Sequence, residues 1–275
     1  FYGYSDSISY SMGGADRKRF VMTDISITIV AYHNEEDVRN AVDSILENTA
    51  ASISKIIYIV DNSTEETKLS SLAEKYQDVV YVTPGRNLGF GGGHNYVLEQ
   101  LDSRYHAIVN PDILLKEDSF AVLLSFLQET GAGMAVPRIT DEEGRLQAVY
   151  RRELTVADMG IRMFLSGHFK KRQQYHTMQE MDYGKPFLVP FAQGSFLVIR
   201  TELFQKLGGF DPRYFMYMED ADLCRRVNQV SSLWYCPDTF VIHRWERGSH
   251  KDKKLLKLHI QSMWRYFTKW GWKLW

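Results

Sequence analysis

The sequence predicts an α/β protein with a mainly parallel sheet flanked by helices, and three observations carry that prediction. Short β-branched apolar runs recur through the first half: ISITIVAY (25–32), KIIYIVDNS (55–63), VVYVT (79–83) and YHAIVN (105–110). Segments with helical spacing lie between them, such as Val38, Ala41, Val42, Ile45 and Leu46, then Phe120, Leu123, Leu124 and Leu127. The connectors are short, and parallel strands need helical crossovers of this kind.

Each element has a local cause. The 25–32 run is apolar throughout and ends in polar residues, as a strand covered on both faces does. The second strand ends at Asp61, and a polar helix is expected over roughly 65–77. The third strand feeds the loop PGRNLGFGGGHN (84–95) and a short helix to about Leu101. Pro111 and Asp112 break the fourth strand before the Phe120 helix. In open sheets of this type ligands bind at the carboxyl ends of the strands. Tyr32, Asp61, Arg86 to Gly93 and Asn110 to Asp112 all fall at those ends, so topology alone forecasts a site there.

After Pro137 the pattern changes. Residues 138–186 are charged and irregular, and read as turns followed by helices or mobile loops on an acceptor side. FLVPFAQGSFLVIR (187–200) reads as two short strands around Gly194. A helix near 201–207, a turn GGFDPRYF, a helix over 219–230, a strand over 232–236 and the run TFVIH follow. A basic, aromatic, amphipathic helix over 251–275 closes the chain. The expected organisation is a lead-in over 1–23 and a catalytic domain over 24–250, with a donor-binding half (24–137) and an acceptor half (138–250).

Composition narrows the function. The chain has 275 residues, 44% hydrophobic and 24% charged, as in soluble globular proteins. A net charge of -1 gives no footing to nucleic-acid binding by bulk electrostatics. Cys224 and Cys236 are the only cysteines and form no CxxC, which argues against a disulfide framework or structural zinc and for a reducing, cytoplasmic setting. No apolar run approaches the ~20 residues needed to span a bilayer. Residues 1–23 lack the apolar core of a signal peptide and read as a flexible lead-in or cloning remnant, with Met22 a natural start.

Five stretches carry chemistry. NLGFGGGHN lets backbone approach a ligand closely, or serves as a turn that opens a helix; His94 at the third glycine position breaks a dinucleotide fingerprint. VNPDILL sets Asn110 and Asp112 just beyond a strand, where two oxygen side chains can hold a hard divalent ion with the phosphates it bridges, although NPD is also a common turn. Asp61 reads as an Asx turn or as an acceptor for a nucleobase. In FMYMEDADLCRR, Asp222 and Arg226 form an i,i+4 structural pair, and Asp220 points about two hundred degrees away from Asp222, free to face a cleft. His243 ends a short strand, with Gly248 and Ser249 just beyond; it reads as a satisfied structural histidine or as a ligand, and its neighbours Arg244 and Arg247 can address phosphate.

In order and spacing, ITIVAYHNEE, IYIVDNSTEE, GRNLGFGGGHN, AIVNPDILL, GSFLVIRTELFQKLGGFDPRYFMYMEDADLCRR and VIHRWERGS resemble a family-2 glycosyltransferase with the GT-A, Rossmann-like fold. Within it they resemble the bacterial rhamnosyltransferase-like branch that builds cell-surface polysaccharides. The resemblance spans about 25–250 and implies the following roles. Tyr32, Asn34 and Asp61 would surround the base and ribose, with Arg86, Asn87 and Gly89 close by. Asn110 and Asp112 match the DxD position, with Asp112 the ligand of Mg²⁺ or Mn²⁺, and His243 matches a histidine facing the metal or diphosphate. Asp220 matches the catalytic base of an inverting transfer, and FMYM would keep water from it.

The implied donor is a nucleotide sugar, dTDP-L-rhamnose first and a UDP-sugar second. The implied acceptor is a saccharide or a polyprenyl-diphosphate-linked glycan. Other readings are a nucleotide-sugar hydrolase or nucleotidyltransferase, and a non-catalytic nucleotide-sugar-binding subunit of an assembly complex. The terminal helix, with Leu256, Ile260, Met263, Phe267 and Trp270 among lysines, would pack on the domain, rest peripherally on the inner face of the membrane, or pair two copies as a homodimer.

Overall fold

The computed structural model describes residues 22–165, 168–244 and 253–275. The lead-in over 1–21 and the Arg247, Gly248 and Ser249 positions lie outside them.

The elements are β1 (Thr23–Ala31), α1 (Glu35–Asn48), β2 (Lys55–Asp61), α2 (Ser70–Lys75), β3 (Val79–Val82), α3 (Gly89–Asn95), a 3-10 turn (Leu98–Gln100), β4 (Ser103–Val109), β5 (Ile113–Leu114) and α4 (Ser119–Thr130). Then come β6 (Met134–Thr140), β7 (Tyr150–Arg151), α5 (Val156–Phe164), α6 (Lys170–His176), β8 (Phe187–Leu188), β9 (Phe191–Ala192), β10 (Phe196–Arg200), α7 (Thr201–Lys206), α8 (Glu219–Val230), β11 (Leu233–His243) and α9 (Lys253–Trp270).

One sheet runs β3-β2-β1-β4-β10-β6-β11-β5, with β8 beside β11; β7 and β9 form a separate two-stranded ribbon. Pairings among β3, β2, β1 and β4 are parallel, as is β6 with β11, whereas β10 runs antiparallel to both neighbours. The fold is the α/β, mainly parallel, GT-A type that the sequence predicts. β1 is covered on both faces: Ile25, Ile27 and Ile29 are fully buried on one face, and Ser26 and Thr28, although polar, are fully buried on the other. Ser26 hydrogen-bonds Ser103 (2.7 Å) and His106 Nδ1 (2.8 Å), so its buried hydroxyl is satisfied.

Four local expectations shift, each for a physical reason. The helix expected over 65–77 is confined to Ser70–Lys75, because Thr67 donates to Asp61 and the Lys68 N–H donates to Glu35, which holds the preceding residues in the loop. The glycine stretch is itself the helix α3, against glycine's poor propensity, because backbone packing outweighs it. The two runs around 232–243 are one strand, whose register with β6 shifts between Tyr235 and Phe240, where Pro237 cannot donate to a ladder. Residues 138–186 hold two strands and two helices.

The stripe expected on the terminal helix divides. Tyr266 and Phe267 are buried, Ser262 donates to the Met216 carbonyl (2.8 Å), and Trp270 Nε1 donates to Asp222 (2.8 Å). Leu256, Ile260 and Trp264 face outward. Among the described residues no helix is long and apolar enough to cross a membrane.

Candidate active site

The carboxyl ends of β1, β2 and β3 are tied together. The Asn62 N–H donates to the Ala31 carbonyl (2.9 Å), and the His33 N–H to Ser63 Oγ (3.1 Å). Tyr32 is exposed, and its N–H donates to Asn34 Oδ1 (2.8 Å). Asp61 is buried in an Asx turn: Oδ1 accepts from the Ser63 N–H (2.9 Å), and Oδ2 accepts from Thr67 and Tyr81. Asn87 Oδ1 accepts from the Gly89 N–H (2.8 Å), and Asn62 Nδ2 donates to the Gly89 carbonyl (2.9 Å). Arg86 stands exposed after the left-handed Gly85.

Gly89 joins this rim to the acidic segment. Its φ is +74°, and a Cβ there would lie 1.9 Å from the Phe215 carbonyl oxygen, so only glycine fits. That carbonyl accepts from the Phe90 N–H (3.1 Å). The 215–218 stretch carries two positive-φ residues, Tyr217 and Met218, which turn the chain into α8. Its contacts run to Phe90 and to α9, where Tyr217 stacks on His259 at 4.6 Å.

The two loops expected to share a cleft are bridged by one dipeptide between β9 and β10. The Gly194 N–H donates to Asp220 Oδ2 (3.1 Å), and the Ser195 carbonyl accepts from the Asn110 N–H (2.8 Å). Gly194 allows the approach: a Cβ there would meet Asp220 Cβ and the Phe90 ring, both at 3.2 Å. Phe90 and Asp220 therefore both crowd Gly194.

Asp220 Oδ1 accepts from the Ala221 N–H (2.8 Å). Burial raises the Asp220 carboxyl above the ordinary range, against the opposing pull of the two N–H groups and of Arg151 and Arg162. Glu219 is buried, its Oε2 has no hydrogen-bond partner, and burial together with the Asp220 charge pushes its carboxyl up as well. Asp222 has the structural role that its spacing predicts: fully buried, it accepts from Arg226 (2.8 Å) and Trp270 (2.8 Å) and pairs with Lys269 (2.5 Å). Two residues along one helix thus face two purposes.

At the end of β4, the Asp112 side chain is 24% exposed, and its Oδ2 lies 3.3 Å from His243 Nε2. The β5–β11 pairing sets His243 opposite Ile113 and so beside Asp112. Gln147 orients the imidazole, with Oε1 3.0 Å from Nδ1 and Nε2 donating to the His243 carbonyl (2.8 Å). Asp112 Oδ1 is buried and accepts no hydrogen bond from a described residue. A carboxylate with an idle buried oxygen and an oriented imidazole fit a divalent cation. Among the described residues no third His, Cys, Asp or Glu joins them, so phosphate oxygens and water would complete the shell.

Sequence reasoning missed Gln147, Glu219, the Gly194–Ser195 bridge as a structural link, and two arginines, Arg151 and Arg162. No motif marks Arg151, because a two-residue strand leaves no period to read.

Comparisons with known proteins bear on the family and the fold. The model of glycosyl transferase family 2 matches residues 26–208, more than half of the chain. Rhamnosyltransferase WbbL of Escherichia coli (strain K12) is 28% identical over 88% of this chain and 92% of its own length. N-acetylglucosaminyl-diphospho-decaprenol L-rhamnosyltransferase of Mycobacterium tuberculosis is 27% identical over 84% of this chain and 80% of its own. In fold, the chain is similar to GalNAc-T7 solved with UDP, GalNAc and Mn²⁺ (TM-score 0.64, 17% identity, 82% of this chain and 44% of that one). It is likewise similar to the mannosyltransferase PcManGT of Pyrobaculum calidifontis in complex with GDP-Man and Mn²⁺ (TM-score 0.64, 15% identity, 90% and 65%). This chain spans less than half of the first of those structures and about two thirds of the second. With a family model across most of its sheet, the chain belongs to glycosyltransferase family 2, and it is a glycosyltransferase.

Proposed function

We propose that this chain is an inverting, divalent-metal-dependent transferase that moves L-rhamnose from dTDP-L-rhamnose onto a lipid-linked saccharide during assembly of bacterial cell-surface polysaccharide. The observation that carries the reading is the Gly194–Ser195 bridge, which binds the turn holding Asp112 to the helix start holding Asp220. The rhamnosyl choice rests on the names of the E. coli and M. tuberculosis relatives, and the lipid diphosphate on the latter's name.

In this reading Tyr32, Asn34, Asp61, Arg86, Asn87, Gly89 and Asn110 line the donor side, within the 24–137 half. The 138–250 half presents the acceptor. Asp220 takes the proton of the acceptor hydroxyl as that oxygen attacks the anomeric carbon, and its raised pKa suits the task. The Gly194 and Ala221 N–H groups fix the carboxylate's direction. With one base and no enzyme nucleophile, the configuration inverts. Asp112 and His243 would hold Mg²⁺ or Mn²⁺, which supplies charge stabilisation for the departing diphosphate. The exposed Leu256, Ile260 and Trp264, one turn apart along α9 and flanked by exposed Lys254, Lys257 and Arg265, suit an anionic lipid surface on the cytoplasmic side.

The test is a panel of nucleotide sugars with and without divalent metal, read by thermal stabilisation and by acceptor-dependent release of nucleoside diphosphate. Stabilisation by dTDP-L-rhamnose and not by UDP-sugars is expected. The reverse selectivity removes rhamnose, and equal turnover in EDTA removes the metal.

A further inference from the structure

Among the described residues most buried charged side chains have hydrogen-bond or ion-pair partners, whereas Glu219 Oε2 and Arg151 Nε have none. Asp222 meets Arg226 and Lys269, and Asp158 meets Arg172 at 2.6 Å. Arg151, on β7, is 6% exposed, yet its side chain makes no hydrogen bond or ion pair with a described residue, and its Nε is buried without a partner. Its guanidinium lies over the Phe191 ring, 5.3 Å from the centroid. Arg162, half-buried on α5, likewise makes no hydrogen bond or ion pair with a described residue. A buried guanidinium without a counter-charge is costly, because several kcal/mol of hydration is given up for nothing in return. Burial and the Arg162 charge push Arg151 down to about 9, which still leaves it cationic at neutral pH.

Asp220 is the carboxylate whose charge reaches both arginines. One carboxylate, itself held toward its neutral form by burial, does not balance two guanidiniums. The place of the excess charge is informative. β7 pairs with β9 through Arg151 and Phe191, and β9 leads into Gly194, whose N–H holds Asp220. β7, which carries Arg151, therefore connects through β9 to Gly194, the residue of the bridge that holds Asp220, while the next residue, Ser195, holds Asn110. The chain end meets the start of α5: the Val156 and Ala157 N–H groups donate to the Lys273 and Leu274 carbonyls (2.9 and 3.1 Å). The exposed Trp272 and Trp275 thus border the helix that carries Arg162.

We propose that Arg151 and Arg162 form an acceptor subsite for a phosphate or diphosphate at the reducing end of the acceptor saccharide, so that the anion is gripped while a hydroxyl of the same sugar reaches Asp220. Guanidinium forks match phosphate oxygens in pairs, which fixes position as well as charge. The lipid beyond the phosphate would leave along the aromatic chain end. The inference deepens the reading of this chain as a transferase with a lipid-linked acceptor, and rests on it.

The experiment has two arms. Calorimetry in EDTA measures binding of a short-chain alkyl diphosphate to the wild-type chain, Arg162→Gln and Arg151→Lys, with thermal melting to show that each variant is folded. Arg162, being half-buried, is the safer variant if Arg151→Lys unfolds. Affinity is expected to fall about tenfold or more in each folded variant. In the second arm, one saccharide is offered with and without a reducing-end diphosphate, and the ratio of the two kcat/KM values is expected to drop about as much in the variants. Unchanged alkyl diphosphate binding overturns the proposal, and so does a rise in donor KM with the acceptor ratio intact, which would assign the arginines to the donor's diphosphate. If diphosphate binding is lost in the variants but the wild type glycosylates neither acceptor, the anion site stands and the reading of the acceptor falls.

Discussion

Replacing Asp220 by Asn tests the assignment of the base with little disturbance to the fold. The carboxylate accepts N–H groups from Gly194 (3.1 Å) and Ala221 (2.8 Å). An amide offers one acceptor oxygen, so one of the two bonds is lost, at about 1 kcal/mol. The substitution also removes a charge whose burial is unfavourable enough to raise the carboxyl's pKa, a relief of similar size. Stability should therefore stay within about 1 kcal/mol of wild type, or roughly 2–4 °C in Tm for a chain of this length. Catalysis should respond differently. Loss of general-base help lowers kcat by about 10²–10⁴, which is about 2.7–5.4 kcal/mol of barrier. Donor affinity, measured by calorimetry with Mn²⁺, should not change. The wild-type kcat/KM should decline on acidification at a pH above the ordinary carboxylate range, because the base works only ionised and its pKa is raised. Acceptor-dependent nucleoside diphosphate release near the wild-type rate in the folded variant would refute the assignment.

Gly89→Ala forces a side chain into a φ of +74° and onto the Phe215 carbonyl, so it should cost about 2–3 kcal/mol in chemical denaturation: about 1–2 for the backbone and about 1 for the bond from Phe90. Glu219 has its carboxyl raised from 4.5 to about 8 by burial and by Asp220. Folded protein then binds more protons than unfolded protein across that window, so its stabilising effect is full below about pH 4.5 and fades as pH rises toward 8, with a slope near 1.4 kcal/mol per pH unit. Glu219→Gln should flatten that slope and leave the variant more stable than wild type at pH 8; parallel denaturation profiles would contradict this. A triple change of Leu256, Ile260 and Trp264 to Ser should leave Tm unaltered, because all three are exposed, and abolish flotation with anionic vesicles. Flotation unaffected by the change would assign the stripe to another contact, such as a second copy of the chain.

The strand ends along the carboxyl edge of the sheet were legible from the sequence for a topological reason. A strand covered on both faces must be apolar, so where polar residues resume at Tyr32, Asp61 and Asn110 the chain has reached a sheet edge, and such edges share one crevice. The division of labour within α8 was legible as well, because helical geometry sends Asp220 and Asp222 in different directions regardless of neighbours. Asn34 and Asn87, by contrast, spend their side-chain oxygens on local N–H groups, an arrangement that depends on turn geometry.

The sequence by itself determined the α/β class, the strand–helix order through α4 and the extent of α8, since each is written in periodicity and punctuation over a few adjacent residues. Tertiary structure alone decided that a run of glycines becomes a helix, that Gly194 and Ser195 join two loops distant in sequence, and that Arg151 is buried with its Nε unpartnered among the described residues. Those outcomes depend on close approach between segments as far apart as Gly89 and Phe215, or Asn110 and Ser195. Contact energies of that kind are set by the shape of the assembled chain, and nothing in the local sequence pattern records them.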